Sequence, residues 1–446
     1  MQKTLIKNAA IVNEDEIFVG DVLIEGEFIS AIDRSIEADY DTRIIDAKGL
    51  YLLPGIIDDQ VHFREPGLTQ KGDIYTEAKA AVAGGVTSYM EMPNTHPQST
   101  TLEELEKKYA RAAECSLANY SFYMGGTNTN LNEVQKVDYK KVCGLKLFMG
   151  SSTGDMLVDN AATLEKIFSS VNTLIATHCE NDPMVKENTR RIVEEYGEDI
   201  PAYFHPIIRD EEVCYTSSKM AVELARKHNT RLHILHISTA KELSLFDNRL
   251  PLKEKRITAE ACVHHLWFSD EDYAAKGNII KWNPAVKTAY DRDNIFEAVL
   301  DGRIDVIATD HAPHTIEEKQ QSYLKAPSGG PLIQHSLQAM LDFYHDKKIS
   351  LELIARKMSH NVADLFAIDK RGYIREGYYA DLVLVNLNKP VTVTKSNVLY
   401  KCGWSPFEGH TFKAGIEKTF VNGKLVYKNG QFDENHKGMR MLFNRK

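Results

Sequence analysis

The chain has 446 residues, of which 43% are hydrophobic and 26% are charged. These fractions are typical of a globular protein and exclude a mainly disordered, collagen-like or coiled-coil chain. The net charge of −9 argues against broad binding to nucleic acid or anionic membranes, because both need a basic surface.

The first residues and the distribution of apolar runs predict the cellular compartment of the protein. No apolar run of the sequence reaches the roughly 18 residues that a membrane helix needs. The opening MQKTLIKNAAIVNEDE lacks the apolar stretch and cleavage site of a signal peptide. The six cysteines are scattered without a CxxC pair, which is typical of reduced, buried thiols. We therefore expect a cytoplasmic protein that binds a small-molecule substrate and neither nucleic acid nor membrane.

Both ends of the chain are rich in short strands. Near the start, DVLIEGEFISAI predicts a hairpin that turns at Glu25–Glu27, and near the end FVNGKLVY turns at Asn422-Gly423. The middle of the chain has a different pattern. We therefore predict that residues 1–53 and 369–446 together build one small, composite β-sandwich domain.

The middle of the chain, residues 54–368, alternates apolar runs with amphipathic helical patterns. The eight strand candidates are GIIDDQVHF, GVTSYMEMPN, NYSFYMGG, CGLKLFMG, TLIATHCEN, RLHILHIS, RITAEACVHHL and IDVIATDHAPH. Helical stretches such as YTEAKAAVAGG and TLEELEKKYARAAE lie between them. Eight such units in this length predict an α/β fold with a TIM (β/α)8 barrel.

Polar residues end nearly every apolar run of the middle segment. They are His62, Asn94, Lys146, His178, His236, His264 or His265, and Asp310. In a TIM barrel the active site lies at the C-terminal ends of the strands. The pattern therefore predicts that these side chains meet at one mouth of the barrel.

Three histidines and one aspartate at these strand ends indicate a metal site. Zinc takes nitrogen and oxygen ligands, and a catalytic zinc site keeps one position open. His62, His178, His236 and Asp310 are the candidates. Each histidine alone is more often an ordinary core residue, so the prediction depends on their convergence.

Side-chain alternation predicts which neighbours share a face of a strand. Asp58, Gln60 and His62 are expected on one face of the first barrel strand, with Asp59 on the other. The same rule turns His233 away from the predicted site.

Lys146 lies inside the apolar segment GLKLFMG. A lysine that points into a barrel pays a large desolvation cost unless it is paired or chemically altered. Two interpretations stay open. Carbamylation by CO₂ would convert the cation into a carboxylate that bridges two metals, and pairing with Asp or Glu would keep it an ordinary lysine.

Three further residues indicate proton transfer and substrate binding. A carboxylate beside a metal-bound water can act as ligand and proton shuttle, which suits Asp310, although a strand-end helix cap is the alternative. Arg64 stands two residues beyond His62, and arginine grips a carboxylate with two hydrogen bonds. Asn94 offers both a donor and an acceptor.

Taken in order, these segments resemble the amidohydrolase superfamily and, within it, the dihydroorotases. The likeness runs through PGIIDDQVHFREPG, MEMPNT, GLKLFMGSSTG, THCEN, HILHIS, NPAVK, TDHAPH, KCGWSPFEGH and VNGKLVY. It implies a TIM barrel beside a small β domain, and a homodimer. It also implies the reversible cyclisation of N-carbamoyl-L-aspartate to L-dihydroorotate in de novo pyrimidine (UMP) biosynthesis.

The resemblance also implies a role for each candidate. His62 matches a ligand of the more buried zinc, Lys146 the carbamylated bridging lysine, His178 and His236 the ligands of the second zinc, and Asp310 the catalytic aspartate. Arg64 and Asn94 match groups that hold the substrate carboxylate, with His314 assisting, and Asn283 matches a contact to the pyrimidine ring. Residues 315–325 match a lid.

One residue departs from the family pattern. The family has D-x-H-x-H on the first strand, and here Gln60 replaces the first histidine. Because an amide oxygen is a poorer zinc ligand than imidazole, we expect one or two zinc ions per chain, with the first site weakened. Two alternatives remain. One is another cyclic amidohydrolase, an allantoinase or hydantoinase, against which Arg64 argues; the other is a non-catalytic, dihydroorotase-like scaffold.

Overall fold

The computed structural model describes residues 3–150 and 156–445, and its strands form a parallel barrel and a sheet built from both chain ends. The strands from the N-terminal end are β1 (Lys3–Asn13), β2 (Glu16–Glu25), β3 (Phe28–Asp33), β4 (Arg43–Asp46) and β5 (Tyr51–Pro54). The barrel strands are β6 (Ile56–Val61), β7 (Val86–Glu91), β8 (Asn119–Phe122), β9 (Met124–Gly125), β10 (Leu145–Phe148), β11 (Leu174–His178), β12 (Arg231–Ile234), β13 (Ile257–Cys262) and β14 (Val306–Ala308). The strands from the C-terminal end are β15 (Leu382–Asn386), β16 (Val391–Thr392), β17 (Thr411–Phe412), β18 (Gly415–Val421), β19 (Lys424–Lys428) and β20 (Gln431–Phe432).

The sheet that joins both chain ends has nine strands, in the order β20-β19-β18-β15-β5-β1-β2-β3, with β4 on β1. Strand β15 pairs with β5, so the C-terminal strands continue the N-terminal ones. The sheet has its own apolar core, which includes Ile6, Ile24, Leu52, Leu384 and Phe420. The predicted composite domain is therefore confirmed as a sheet domain, while its limits at residues 53 and 368 stay a prediction.

Both predicted hairpins are present. The turn between β2 and β3 holds Gly26 at φ 64°, and the turn between β18 and β19 holds Asn422 and Gly423 at φ 48° and 74°. Consecutive positive φ values are what a two-residue turn needs to match the twist of its strands, and they favour Asn-Gly.

The eight predicted strand segments of the middle each contribute to the barrel, the third as the short pair β8 and β9. Strands β6-β7-β8 and β14-β13-β12-β11-β10-β9 form two parallel arcs. A parallel bridge between Val61 and His311 closes the ring, and His62 N donates to His311 O at 2.7 Å. The predicted TIM-type barrel is confirmed.

Helices cover the barrel between successive strands. They are α1 (Ile74–Ala83), α2 (Leu102–Cys115), α3 (Leu131–Val134), α4 (Ala161–Ser170), α5 (Asp182–Tyr196), α6 (His205–Ile208), α7 (Glu211–His228), α8 (Val263–Trp267), α9 (Tyr273–Lys276), α10 (Ala289–Asp301), α11 (Ile316–Lys319), α12 (Ser336–His345), α13 (Leu351–Ala355) and α14 (Asn361–Phe366). Local sequence explains their ends: Asp73 and Thr76 form a capping box at α1, and Asn229 ends α7 in the left-handed conformation. No helix within the described ranges is long and apolar enough to cross a bilayer.

The predicted strand RITAEACVHHL is wrong at its end. Strand β13 stops at Cys262, and VHHL starts helix α8. In a strand, His264 and His265 would point to opposite faces, whereas the helical turn buries both rings. His264 stacks on Trp282 at 4.5 Å between ring centroids, and His265 Nε2 lies 3.1 Å from Pro284 O.

The predicted alternation along the first barrel strand is also wrong. Strand β6 contains a β-bulge: three residue steps from Asp58 to Val61 pair with only two steps on the neighbouring strand β7. The extra residue changes the direction in which the side chains point. Asp58 bonds Thr309 Oγ1 at 2.6 Å. Asp59, expected to point away, instead reaches His233 of β12, which is not a neighbouring strand, so this contact crosses the barrel interior.

Candidate active site

A cavity of about 380 Å³ opens where the barrel strands end. All nine side chains that were predicted from the sequence line it, namely His62, Arg64, Asn94, Lys146, His178, His236, Asn283, Asp310 and His314. His264 and His265 are not among the lining residues. The structure therefore brings the predicted site residues together, and their individual geometry shows what each can do.

His178 and His236 face each other across one wall of the cavity. Nδ1 of His178 lies 3.0 Å from Nε2 of His236. The other nitrogen of His178 contacts Glu180 Oε2 at 2.9 Å, and Arg209 holds the same carboxylate oxygen at 2.6 Å. A carboxylate behind a histidine fixes the ring and its tautomer, which is the usual arrangement around a metal-binding imidazole.

The charges around this pair favour neutral imidazoles. Burial lowers the pKa of His236 well below its usual value, and the neighbouring His178 and Lys146 lower it further. Burial also lowers the pKa of His178, against the raising effect of Glu180. Burial alone would raise the pKa of Glu180, but the charge of the neighbouring Arg209 holds this pKa below its usual range. Neutral rings with free lone pairs are what a metal ion requires.

Lys146 is buried beside the two histidines, with 1% of its surface exposed. Its Nζ has no hydrogen-bond partner among the residues that the structure describes, and it lies 4.6 Å from the centre of the Phe148 ring. Burial lowers the pKa of Lys146 to about 7. A neutral amine can add CO₂, whereas the alternative of an ion-paired lysine finds no support in these contacts.

His62 and Asp310 form the opposite wall. Asn94 Oδ1 lies 2.8 Å from His62 Nδ1, which leaves Nε2 of His62 facing Asp310 Oδ1 at 3.1 Å. Gln60 Nε2 donates to the same aspartate oxygen, also at 3.1 Å. The amide of Gln60 therefore holds Asp310 in place with its donor group. Asn94, predicted as a substrate contact, lines the cavity and also orients His62.

A third group of contacts surrounds Arg64, of whose surface only 7% is exposed. Its Nε donates to Pro313 O at 3.0 Å, and Nη2 lies 3.0 Å from His314 Nε2. Burial lowers the pKa of Arg64 to about 10, which leaves it cationic at neutral pH. Asn283 Oδ1 is buried and makes no hydrogen bond with the described residues. A buried cation and an unpaired amide thus face the cavity.

Three of the residues that line the cavity have an unusual backbone conformation. Arg64, His236 and Asp310 have φ values of 70°, 40° and 47°, in the left-handed region that residues with side chains rarely adopt. Such positions cost free energy and cluster at functional sites. This is a signal that the sequence did not reveal.

Sequence reasoning missed four polar residues around the cavity. Glu180 stands two positions after His178, so strand alternation pointed to it. Arg209, Lys71 and Glu318 lie outside the strands and carried no such signal. Lys71 Nζ contacts His314 Nδ1 at 3.1 Å and Glu318 at 2.8 Å, which links the predicted lid segment to the cavity wall.

Residues 51–426 match the Amidohydrolase family. The chain belongs to the amidohydrolase family. This match spans the whole barrel and the part of the sheet domain that holds β5 and the strands from β15 into β19. It accords with a cavity lined by histidines, a buried lysine and an aspartate.

Amidohydrolases of several names resemble this one over nearly the whole chain. The dihydroorotase of Bacillus subtilis (strain 168) is 32% identical over 441 residues, covering 96% of this chain and 99% of that protein. The allantoinase of Desulfitobacterium hafniense (strain Y51) is 29% identical and covers 96% of each chain. The L-hydantoinase (dihydropyrimidinase) structure from Arthrobacter aurescens superposes with a TM-score of 0.91 at 26% identity, covering 97% of this chain and 98% of that one.

Proposed function

We propose that this amidohydrolase is a dihydroorotase, which interconverts N-carbamoyl-L-aspartate and L-dihydroorotate in pyrimidine biosynthesis. The observation that carries the proposal is the buried guanidinium of Arg64 at the mouth of the cavity, whose direct contacts are a carbonyl and an imidazole. No carboxylate of residues 3–150 and 156–445 forms an ion pair with this guanidinium. A desolvated cation of this kind is suited to a substrate that brings its own carboxylate.

The donor set of the cavity fits zinc. His178, His236 and a carbamylated Lys146 would hold one ion, and His62 with Asp310 would supply further ligands. Two observations support this assignment. The neutral rings of His178 and His236 bring one nitrogen each to within 3.0 Å of each other, and Lys146 Nζ has no hydrogen-bond partner among the described residues. When bound, zinc supplies Lewis acidity, which polarises an amide carbonyl and makes water more acidic.

Asp310 is the residue that moves protons. Its carboxylate Oδ1 is fixed by Gln60 and His62, so it faces the cavity in one orientation. In ring opening it takes a proton from the attacking water and delivers it to the departing ring nitrogen. In ring closure it removes a proton from the carbamoyl nitrogen.

The third group of side chains, around Arg64, orients the substrate. Arg64 binds the ring carboxylate, and His314, which contacts Arg64 and Ser328 O at 3.0 Å each, supports it. Asn283 offers its unpaired amide oxygen to a ring N–H. Fixed orientation places the scissile amide against Asp310 and lowers the entropic cost of reaction.

Gln60 sets the metal count in this proposal. Its amide nitrogen donates to Asp310. Within the described part of the chain, the one hydrogen-bond donor to its oxygen is the weak donor Cys262 Sγ at 3.8 Å. We therefore propose one tightly held zinc in the cavity, on the side of His178 and His236. A tightly bound second zinc on His62 would contradict this.

Two other functions compete with this proposal. An allantoinase or hydantoinase would share the metal ligands but would not need Arg64. A non-catalytic scaffold would explain Gln60, yet it would not need nine site residues of the expected types around one cavity.

The test is hydrolysis of dihydroorotate by the purified protein in buffer with zinc and bicarbonate, beside hydantoin and allantoin. We expect turnover of dihydroorotate alone. Turnover of hydantoin or allantoin in preference would assign another cyclic amidohydrolase. Folded, metal-loaded protein that turns over none of the three would favour the scaffold.

A further inference from the structure

Three acidic or imidazole side chains converge inside the barrel, apart from the cavity lining. They are Asp59 on β6, His233 on β12 and Glu260 on β13, and we call them the inner triad. Among the described residues they are the one group of three or more His, Cys, Asp or Glu whose ligand atoms all lie within 4.8 Å of one another. All three are fully buried.

The free atoms of the inner triad point at one another. His233 Nε2 lies 3.2 Å from Asp59 Oδ2 and 3.8 Å from Glu260 Oε2. Within residues 3–150 and 156–445, these atoms make no hydrogen bond of good geometry, and neither does Asp59 Oδ1. Four buried polar atoms therefore lie together without a hydrogen bond to any described residue, although His233 forms ion pairs with both carboxylates.

The remaining polar atoms of two triad members are anchored elsewhere. His233 Nδ1 lies 2.9 Å from Thr258 Oγ1. Glu260 Oε1 accepts from His236 N at 2.9 Å and from Cys262 Sγ at 3.2 Å. Thr258 can accept the proton of Nδ1 and leave Nε2 free to coordinate, as the outer partners of metal-binding histidines do.

The charges of the inner triad do not balance by themselves. Asp59 and Glu260 both make their ion pair with the same imidazole. A buried carboxylate without full compensation is costly. Either a proton or a cation must offset it.

We propose that Asp59, His233 and Glu260 bind a divalent transition-metal ion, with zinc the best match, in a structural site separate from the catalytic cavity. One imidazole nitrogen and two carboxylates are ligands that zinc accepts, and its two positive charges balance the two carboxylates around a neutral His233. The ion joins strand β6 to β12 and β13 across the barrel. Because the ligands come from distant parts of the chain, binding stabilises the fold.

This site goes beyond the proposed function, because none of its ligands lines the cavity. Only one layer of side chains separates the two. Cys262 Sγ contacts both Glu260 and Gln60, and Gln60 in turn holds Asp310.

The first experiment counts zinc per chain by mass spectrometry after extensive dialysis, in the wild type and in Asp59→Asn, His178→Ala and the double variant. We expect Asp59→Asn to lose about one equivalent relative to the wild type, His178→Ala to lose the other, and the double variant to hold none. Asp58→Asn is the matched control. Asp58 is the preceding residue and is equally buried, but its carboxylate bonds Thr309, so this variant should keep the wild-type zinc content.

The two variants separate the two claims. An unchanged zinc content in His178→Ala contradicts the catalytic site alone, and an unchanged content in Asp59→Asn contradicts the inner site alone. A second measurement does not depend on variants that fold: anomalous diffraction at the zinc edge from wild-type crystals. A peak between Asp59, His233 and Glu260 supports the site. No peak there, with the three side chains ordered, overturns it and leaves a proton shared by the triad.

Discussion

The two sides of the cavity differ in where their residues come from and in what they select. The metal side, defined by Lys146, His178 and His236, stands on or directly after barrel strands and presents neutral donors. The anion side, defined by Arg64, Asn283 and His314, stands on loops and presents a buried cation. Under the proposed function, the barrel strands position the residues of the reaction and the loops position the residues that select the substrate, as in other TIM barrels.

Breaking the metal side should have the largest effect. His178→Ala removes a proposed zinc ligand. We expect kcat for dihydroorotate to fall by about 1000-fold or more, because the lost Lewis acid is worth several kcal/mol. A coupled loss of zinc should accompany it. The matched control is His264→Phe, which replaces a buried histidine outside the cavity that stacks on Trp282. Near-wild-type turnover by His178→Ala would refute the metal role.

Asp310, which forms the wall opposite the metal side together with His62, allows a test of proton transfer. Asp310→Asn keeps the shape but removes the base, so we expect kcat to fall by about 100- to 10,000-fold with little change in KM. Asp305→Asn is the control, because Asp305 is a buried carboxylate near the other end of β14 and pairs with Lys255. A change confined to KM would assign Asp310 to binding instead.

Breaking the anion side should leave the chemistry but weaken binding. Arg64→Met removes the charge that is proposed to bind the substrate carboxylate, and we expect KM for dihydroorotate to rise by about 10- to 100-fold. Arg111→Met serves as control, since Arg111 is half exposed and pairs with Glu65 away from the cavity. Steady-state kinetics of both variants decide the matter, and unchanged kinetics of Arg64→Met would remove the proposed role.

The smallest expected effect is a change with pH in the rate at which CO₂ reacts with Lys146. Because burial lowers the pKa of Lys146 to about 7, the neutral amine fraction rises as pH increases through 7. After CO₂ removal, reactivation under a fixed CO₂ pressure should be about eightfold slower at pH 6.0 than at pH 7.5. Activity that needs no CO₂, or a reactivation rate that is equal at both pH values, would argue against carbamylation.

The same contrast explains what the sequence could predict. The residues of the metal side could be predicted from the ends of the strands. His178 and His236 stand at the ends of apolar runs, and the C-terminal ends of parallel barrel strands lie together. The anion side was assigned mostly by family resemblance, since His314 and Asn283 lie on loops whose paths no local pattern determines. Asp59 was misassigned because one extra residue in β6 breaks the alternation, and a bulge of this kind has no sequence signature. Left-handed backbone at Asp310 was equally invisible.

The central claim is that the anion side selects a ring that carries a carboxylate. The most direct test compares kcat/KM for dihydroorotate and dihydrouracil, which have the same ring with and without that group, in the wild type and in Arg64→Met. We predict a preference of at least about 100-fold for dihydroorotate in the wild type, most of which disappears in Arg64→Met. Equal kcat/KM values for both rings, or a preference that survives the loss of Arg64, would contradict the account.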